Sequence, residues 1–234
     1  MPTVLRQTAP VAGDALLPED PGRALALAQE LLTEPKMSNH AHGLWGYSGT
    51  TDAGRPLTIQ STGVGAPSAG LVLRDLAGLG VERVIAVGTC VSLDDRPGIG
   101  DTLLCERAIA ADGTSRALGA DGAATPDPGL EDELRASGGR LKGAVVASAD
   151  LITGVPAGAG ILAEQARAWA EAGAVAAEMQ AAALFTLGPL LGVRAASVLV
   201  VTGLAADPGR AVAEDELDAA VLEVARIAAR TLAG

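Results

Sequence analysis

Three short stretches carry the residues best placed to do chemistry. The run "STGVGAPS" (61–68) sets a glycine-rich turn between a strand-like segment and a helix-like one. In that setting backbone N–H groups and a helix N-terminus attract an anion, although a plain structural turn reads equally well. The run does not complete GxGxxG, which argues against a dinucleotide site. In "VIAVGTCVSL" (84–93), Gly88 and Thr89 end an apolar run of the kind that forms a buried strand. Open α/β sheets bind ligands at such strand ends, so the Thr89 hydroxyl either meets a ligand or satisfies nearby backbone. Cys90 beside it would need a histidine to act as a nucleophile, and His40 and His42 are distant in sequence. A small buried thiol is the better reading of Cys90. The third stretch, "AVAAEMQAAALFT" (174–186), sets Glu178 and Gln180 inside an alanine-rich run. A carboxylate buried there needs partners, and a strand end or helix start would favour it.

The elements that must hold these residues follow from pattern. Asp20 before Pro21 marks a helix start, with apolar residues at helical spacing after Arg23. "RPLTIQS" (55–61) reads as a strand, the glycine turn follows, and "SAGLVLRDLAGLG" reads as a helix ending on Gly80. "VERVIAVGT" is then a strand covered on both faces. Strand, glycine loop, helix and strand make a βαβ unit, hence a parallel sheet. "GDTLLCERAIAADGTS" predicts a strand and hairpin turning at Asp112 and Gly113, and residues 120–140 predict a loop with a short surface helix. "GAVVASAD", "ILAEQARAWAEAG" and "AASVLVV" predict strand, helix and buried strand. The apolar stretch 181–206, broken by Gly188, Pro189 and Arg194, reads as helix, turn and strand, not as a membrane span. A C-terminal amphipathic helix begins with acidic residues and ends with basic ones, as its dipole prefers.

Composition narrows the function classes. Hydrophobic residues make up 49% of 234 but aromatics only 2%, so the core must be aliphatic. A net charge of −11 with scattered Lys and Arg leaves no basic footprint for nucleic acid, and an anionic membrane would repel the chain. Two cysteines outside any CxxC and two histidines do not make a disulfide framework or a zinc cluster. The N-terminal "MPTVLRQTAP" lacks signal-peptide character, so the expected location is the cytoplasm.

Six stretches, in order along nearly the whole chain, resemble the nucleoside phosphorylase and nucleosidase superfamily, in the branch of uridine phosphorylase and the hexameric purine nucleoside phosphorylases. "EDPGR" is similar to Gly-Asp-Pro-x-Arg, "STGVGAPSAG" to Ser-Thr-Gly-Ile-Gly-Gly-Pro-Ser, and "VIAVGTCVSL" to a strand ending in Gly-Thr/Ser-x-Gly. "IGDTLL" with "DGTS", "ASADL", and "AEMQAAAL" match Val-Gly-Asp-Val-Leu with Asp-Gly-Ala-Ser, Ser-(Ser/Ala)-Asp, and Glu-Met-Glu-x-Ala. The resemblance implies one three-layer αβα domain over residues 1–234 with a central mixed β-sheet. It implies phosphate-dependent cleavage of the bond between ribose and base through an oxocarbenium-like transition state, giving free base and ribose 1-phosphate. The partners it implies are a nucleoside and inorganic phosphate as co-substrate, with no cofactor or metal, in a homo-hexamer built as a trimer of dimers that share active sites.

Carried over by residue, the resemblance gives Arg23, Thr89 and the Gly63 loop to phosphate. His42, with His40 as the less favoured register, stands at the place of an arginine from the neighbouring subunit. Glu178, Met179 and Gln180 fall against the ribose, with Gln180 in a catalytic role beside Arg23; Ile152 and Cys90 fall near the base. The chain also departs from the pattern. Glu19 replaces the glycine that contacts phosphate, which is unfavourable unless its carboxylate turns away. Ala86 stands where a third arginine is usual, Gln180 where the second carboxylate is usual, and Leu204 where purine-specific members carry a proton-donating Asp. Asp207 lies three residues on, and "LITGVPAGAGI" (151–161) lacks the Gln and Arg with which uridine phosphorylases read uracil. Each charge-assisted bond to phosphate contributes about 1.5–3 kcal/mol, so two missing arginines weaken that subsite. Besides phosphorolysis, hydrolysis on the same fold and a non-catalytic nucleoside-binding role remain open from sequence.

Overall fold

The computed structural model describes residues 3–93, 96–152, 160–205 and 207–234. In chain order the elements are β1 (Asp14–Pro18), α1 (Pro21–Leu31), β2 (Thr33–Asn39), β3 (Gly46–Thr50), β4 (Pro56–Gln60), α2 (Ala66–Gly78) and β5 (Arg83–Ser92). They continue as β6 (Thr102–Ala110), α3 (Gly113–Ala117), β7 (Ala123–Ala124), α4 (Pro128–Ala136), β8 (Lys142–Ser148), α5 (Gly160–Glu171) and β9 (Ala176–Glu178). The chain ends with α6 (Ala181–Leu191), β10 (Arg194–Leu204), β11 (Asp207–Ala211) and α7 (Glu214–Ala233).

Among the described residues eleven strands join one mixed sheet, and β5 is its axis. Along one edge β5 pairs in parallel with β10 from Arg83 to Ser92. Its other edge is divided. Strand β1 takes it in parallel from Arg83 to Val87, and β9 takes it antiparallel at Val91 and Ser92. Through β10, β6, β8 and β9 the sheet returns to β5, which closes those strands into a ring. The remaining strands β1, β4, β3 and β2 extend outward as a flap. Strand β2 is its outer edge, where Pro35 removes no ladder hydrogen bond.

Alternation along β5 separates two aliphatic cores. Val84, Ala86 and Cys90 face a cluster that α2 and α6 close with residues such as Val72, Leu73, Leu184 and Phe185. Ile85 and Val87 face the opposite cluster, closed by α1, α4 and α7 with Leu27, Leu130, Val224 and Ile227. The result is the expected helix–sheet–helix layering on a mixed sheet. With a single Phe in the chain, the space is filled by Leu, Val, Ile and Ala.

Two local expectations are corrected. Asp112 does not turn a hairpin; its side chain accepts a 2.7 Å bond from the Ser115 N–H and starts α3. Gly188 and Pro189 do not end their helix. Pro189 lies in the last turn of α6, and Gly192, at φ +71°, terminates it in the left-handed region. Strands β1, β2, β3 and β9 carry no sequence signal as clear as that of β5.

Helix α2, which carries the glycine turn at its start, is braced at its far end by Asp75. This buried carboxylate accepts the N–H groups of Val4 (2.6 Å) and Leu5 (3.0 Å) and pairs with Arg74. Burial pushes its pKa up, but the Leu5 N–H, the Arg74 guanidinium and the Val4 N–H outweigh that and hold it below the ordinary value. A lowered folded-state pKa stabilises the fold above the unfolded value of about 3.9, and the contribution is lost as pH falls through the folded value. Asp75→Asn is expected to cost about 1–2 kcal/mol at pH 7, with the difference closing in strong acid; urea melts of both proteins across that range check it.

Candidate functional site

Strand β1 leaves β5 after Val87 and β9 joins it only at Val91, so among the described residues 88–90 have no strand partner on that edge. The gap lies at the C-terminal ends of the parallel strands β1, β4 and β5, where α/β sheets bind ligands. The segments that run into it are tied together by backbone: Thr62 N–H donates to the Pro18 carbonyl (2.9 Å) and Gly63 N–H to the Glu19 carbonyl (3.0 Å). Gly63 has φ +71°, and a Cβ there would lie 2.7 Å from Ser68 Oγ, so the turn admits only glycine without rearrangement.

Helix α1 begins here. Asp20 caps it through a 2.8 Å bond from the Arg23 N–H, which fixes Arg23 in the first turn. The Arg23 guanidinium donates to Glu19 Oε1 at 3.2 Å, and the Thr89 hydroxyl donates to the same oxygen at 2.8 Å. An arginine and a strand hydroxyl thus converge on one negative group. That group is the chain's own carboxylate. The condition under which Glu19 would spare a phosphate, a carboxylate turned away, is not met: it turns inward to Arg23 and Thr89. Gly63 is tied to the same residue. Its N–H is already engaged by the Glu19 carbonyl, so it is not free for phosphate in this arrangement.

On the other side of the gap Glu178 is buried at the end of β9. Its Oε1 accepts from the Ser148 hydroxyl, and its Oε2 accepts from the N–H groups of Gln180 (2.7 Å) and Ala181 (2.9 Å). Ser148 Oγ in turn accepts the Ala182 N–H at 2.9 Å. Burial pushes the Glu178 carboxyl above its ordinary value against the pull of these donors, and the charge of Glu19 pushes the same way. Both oxygens are committed inside the protein. Glu178 therefore starts α6, and the partners of its carboxylate are within the protein.

Gln180 is buried and joins α6 to the glycine turn. Its Oε1 accepts from Thr62 Oγ1 (2.9 Å), and its Nε2 donates to the Gly63 carbonyl (2.6 Å). The position needs an acceptor and a donor together, which an amide supplies and a carboxylate does not. One Nε2 hydrogen and one Oε1 lone pair remain for a ligand. Met179, beside it, is half-buried.

The other sequence candidates are less central. Cys90 packs in the aliphatic core with its thiol 3.7 Å from the Val200 carbonyl, so only its backbone borders the gap. Burial raises its pKa far above the ordinary value, with the charges of Glu178 and Glu19 adding, which disfavours a thiolate. Ala86 is buried in the same core and brings no cation. His42 is exposed in a 3₁₀ turn, Ala41–Gly43, at φ 56°; among the described residues no hydrogen bond joins it to Arg23 or Thr89 within the chain. His40 is exposed too. Ile152 is half-buried against Ala147 and Ala177. Leu204 ends β10 and pairs across a hairpin with Asp207, whose side chain is exposed. Residues 153–159, within the stretch searched for uracil-reading side chains, lie outside the described residues. Among the described residues no group of three or more His, Cys, Asp or Glu could hold a metal, and no helix is long and apolar enough to cross a membrane.

Sequence reasoning missed Thr62 and Ser148 as partners. Both stand in stretches already singled out, and the buried Glu178 was itself a signal that donors had to lie nearby.

Comparison with known proteins gives the family and the fold. The model of the phosphorylase superfamily matches residues 14–234. The purine nucleoside phosphorylase DeoD-type of Clostridium novyi (strain NT) is 31% identical over 199 residues, 82% of each chain. That of Caldanaerobacter subterraneus subsp. tengcongensis is 31% identical over 226 residues, 93% of this chain and 94% of the relative. The crystal structure of uridine phosphorylase from Vibrio fischeri ES114 superposes with a TM-score of 0.83 at 24% identity, over 95% of this chain and 92% of that one; this likeness speaks for the fold.

Gln180→Glu would set a carboxylate oxygen against the Gly63 carbonyl. It is expected to destabilise the protein by about 1–3 kcal/mol at neutral pH, with the loss shrinking in acid as the new carboxyl gains a proton. Thermal melts at two pH values check it.

Proposed function

The chain belongs to the phosphorylase superfamily, and on that premise we propose that it cleaves the N-glycosidic bond of a nucleoside, phosphate taking the ribosyl group to give free base and ribose 1-phosphate. The observation that carries this reading is the convergence of Arg23 and Thr89 on a single anion at the strand-end gap. An anion held there faces a ribose whose other contacts would come from Met179 and the free hydrogen-bonding capacity of Gln180. As the bond to the base lengthens, positive charge grows on the sugar, and an anion beside it stabilises the transition state more than the ground state. Electrons of the breaking bond leave with the base, and a phosphate oxygen bonds the sugar. Phosphate is the co-substrate and no organic cofactor takes part. Leu204 offers no proton to the base, so the leaving base takes its proton from solvent or from another group such as Asp207.

We place His42 at the site of a neighbouring subunit, consistent with its exposure in the single chain. Residues 1–234 act as one unit, in a soluble hexamer of three dimers, in nucleoside salvage in the cytoplasm.

A second reading, hydrolysis, is favoured by one observation: the carboxylate of Glu19 at the anion position is placed to take a proton from water. One assay separates the two. Purified protein is given a panel of purine and pyrimidine nucleosides with and without phosphate, and free base is measured. Release that requires phosphate, with ribose 1-phosphate as co-product, is the expected result. Equal release without phosphate transfers the assignment to hydrolysis, and no release from any nucleoside overturns both.

A further inference from the structure

We infer that Glu19 is a built-in competitor of phosphate: its carboxylate occupies the oxyanion position between Arg23 and Thr89, and phosphate enters only by displacing it. The inference rests on the reading of this gap as the nucleoside-cleaving site, and it goes beyond that reading by naming the residue that sets how tightly the co-substrate is held.

The geometry supports it in three ways. First, one oxygen of Glu19 accepts from both Arg23 (3.2 Å) and Thr89 (2.8 Å), the two groups with which the site would hold an external anion. Among the described residues Arg23 pairs with one carboxylate, that of Glu19. Second, the carboxylate is local. Glu19 directly precedes the cap of α1, and its own carbonyl accepts from Gly63, so the side chain stays next to the anion position whether bound or displaced. A phosphate dianion arriving there meets a like charge at short range, which is unfavourable in a partly enclosed site. Third, the side chains keep some access to solvent, with 21% of Arg23 and 30% of Glu19 exposed. The pair is therefore displaceable, unlike the fully internal network of Glu178. A carboxylate has two oxygens and one charge, while phosphate presents more of both. A rise in phosphate concentration thus shifts Arg23 and Thr89 from Glu19 to phosphate by mass action. Ala86, where a second cation would have helped phosphate win, gives no such help.

The test uses the full chain with inorganic phosphate as the probe. Phosphate binding is measured by isothermal titration calorimetry for the wild type, Glu19→Gly and Glu19→Gln, each checked for native circular dichroism. Glu19→Gly is expected to bind phosphate at least tenfold more tightly, and Glu19→Gln by a smaller factor, because its amide oxygen still accepts from Arg23 and Thr89 but carries no charge. Adding Arg23→Ala to Glu19→Gly is expected to remove the gain. Under turnover the same order appears in KM for phosphate. Affinities within twofold across the wild type and both Glu19 variants overturn the inference, as does a failure of all three to bind phosphate. Tighter binding in Glu19→Gly without cleavage of any nucleoside upholds this inference and removes the proposed function. Phosphate-dependent cleavage with unchanged phosphate affinity in the Glu19 variants does the reverse.

Discussion

A β-strand has two hydrogen-bonding edges, and β5 shares one of them between two partners. Strand β1 runs parallel to it as far as Val87, and β9 approaches in the opposite direction from Val91. The two cannot meet, because one departs as a loop into α1 and the other arrives as the lead into α6. The residues between them lie at the floor of an opening in an otherwise continuous sheet. Everything placed at that opening is there because strands β1, β4 and β9 end within reach of it. The backbone bonds from Thr62 and Gly63 to Pro18 and Glu19 hold those ends in register.

Two carboxylates stand at this opening, and the sequence gives each different partners. Glu178 is wholly inside the protein, where an unsatisfied charge is most costly. It is met by a hydroxyl and two backbone N–H groups from the first turn of α6, so its charge is spent on starting a helix. Glu19 is partly open to solvent and is met by side chains able to hold other anions. One network is structural and closed; the other exchanges partners at modest cost.

Against the pattern the chain resembles, one carboxylate has moved. Position 19 gains a negative charge where glycine is usual, and position 180 loses one where glutamate is usual. The charge of Glu19 already raises the pKa of Glu178. A further carboxylate at 180 would add to that repulsion and would oppose the Gly63 carbonyl that Gln180 now satisfies. The amide at 180 and the carboxylate at 19 are thus compatible with each other as a pair, and the glycine turn is held by the amide rather than by a charge.

Much of this protein was set locally. The apolar run of β5, the Asp20 cap before Pro21, the glycine turn and the amphipathic α7 each follow from rules acting over a few residues, and they sufficed to indicate a parallel α/β core. Motif order along the chain pointed to the family. What neighbouring residues do not encode is which group meets which across the fold. The short strands β1 and β9 are held by neighbours distant in the chain, β4 and β5 for the one and β5 and β8 for the other, so their few residues carry little pattern of their own. Pro189 reads as a helix breaker but is tolerated one turn from a glycine cap. The direction of Glu19 is the clearest case. Sequence shows a carboxylate at an anion position and the cost that implies; Thr89, 70 positions away in the chain, turns that cost into an attraction, and only the folded sheet brings the two within 2.8 Å.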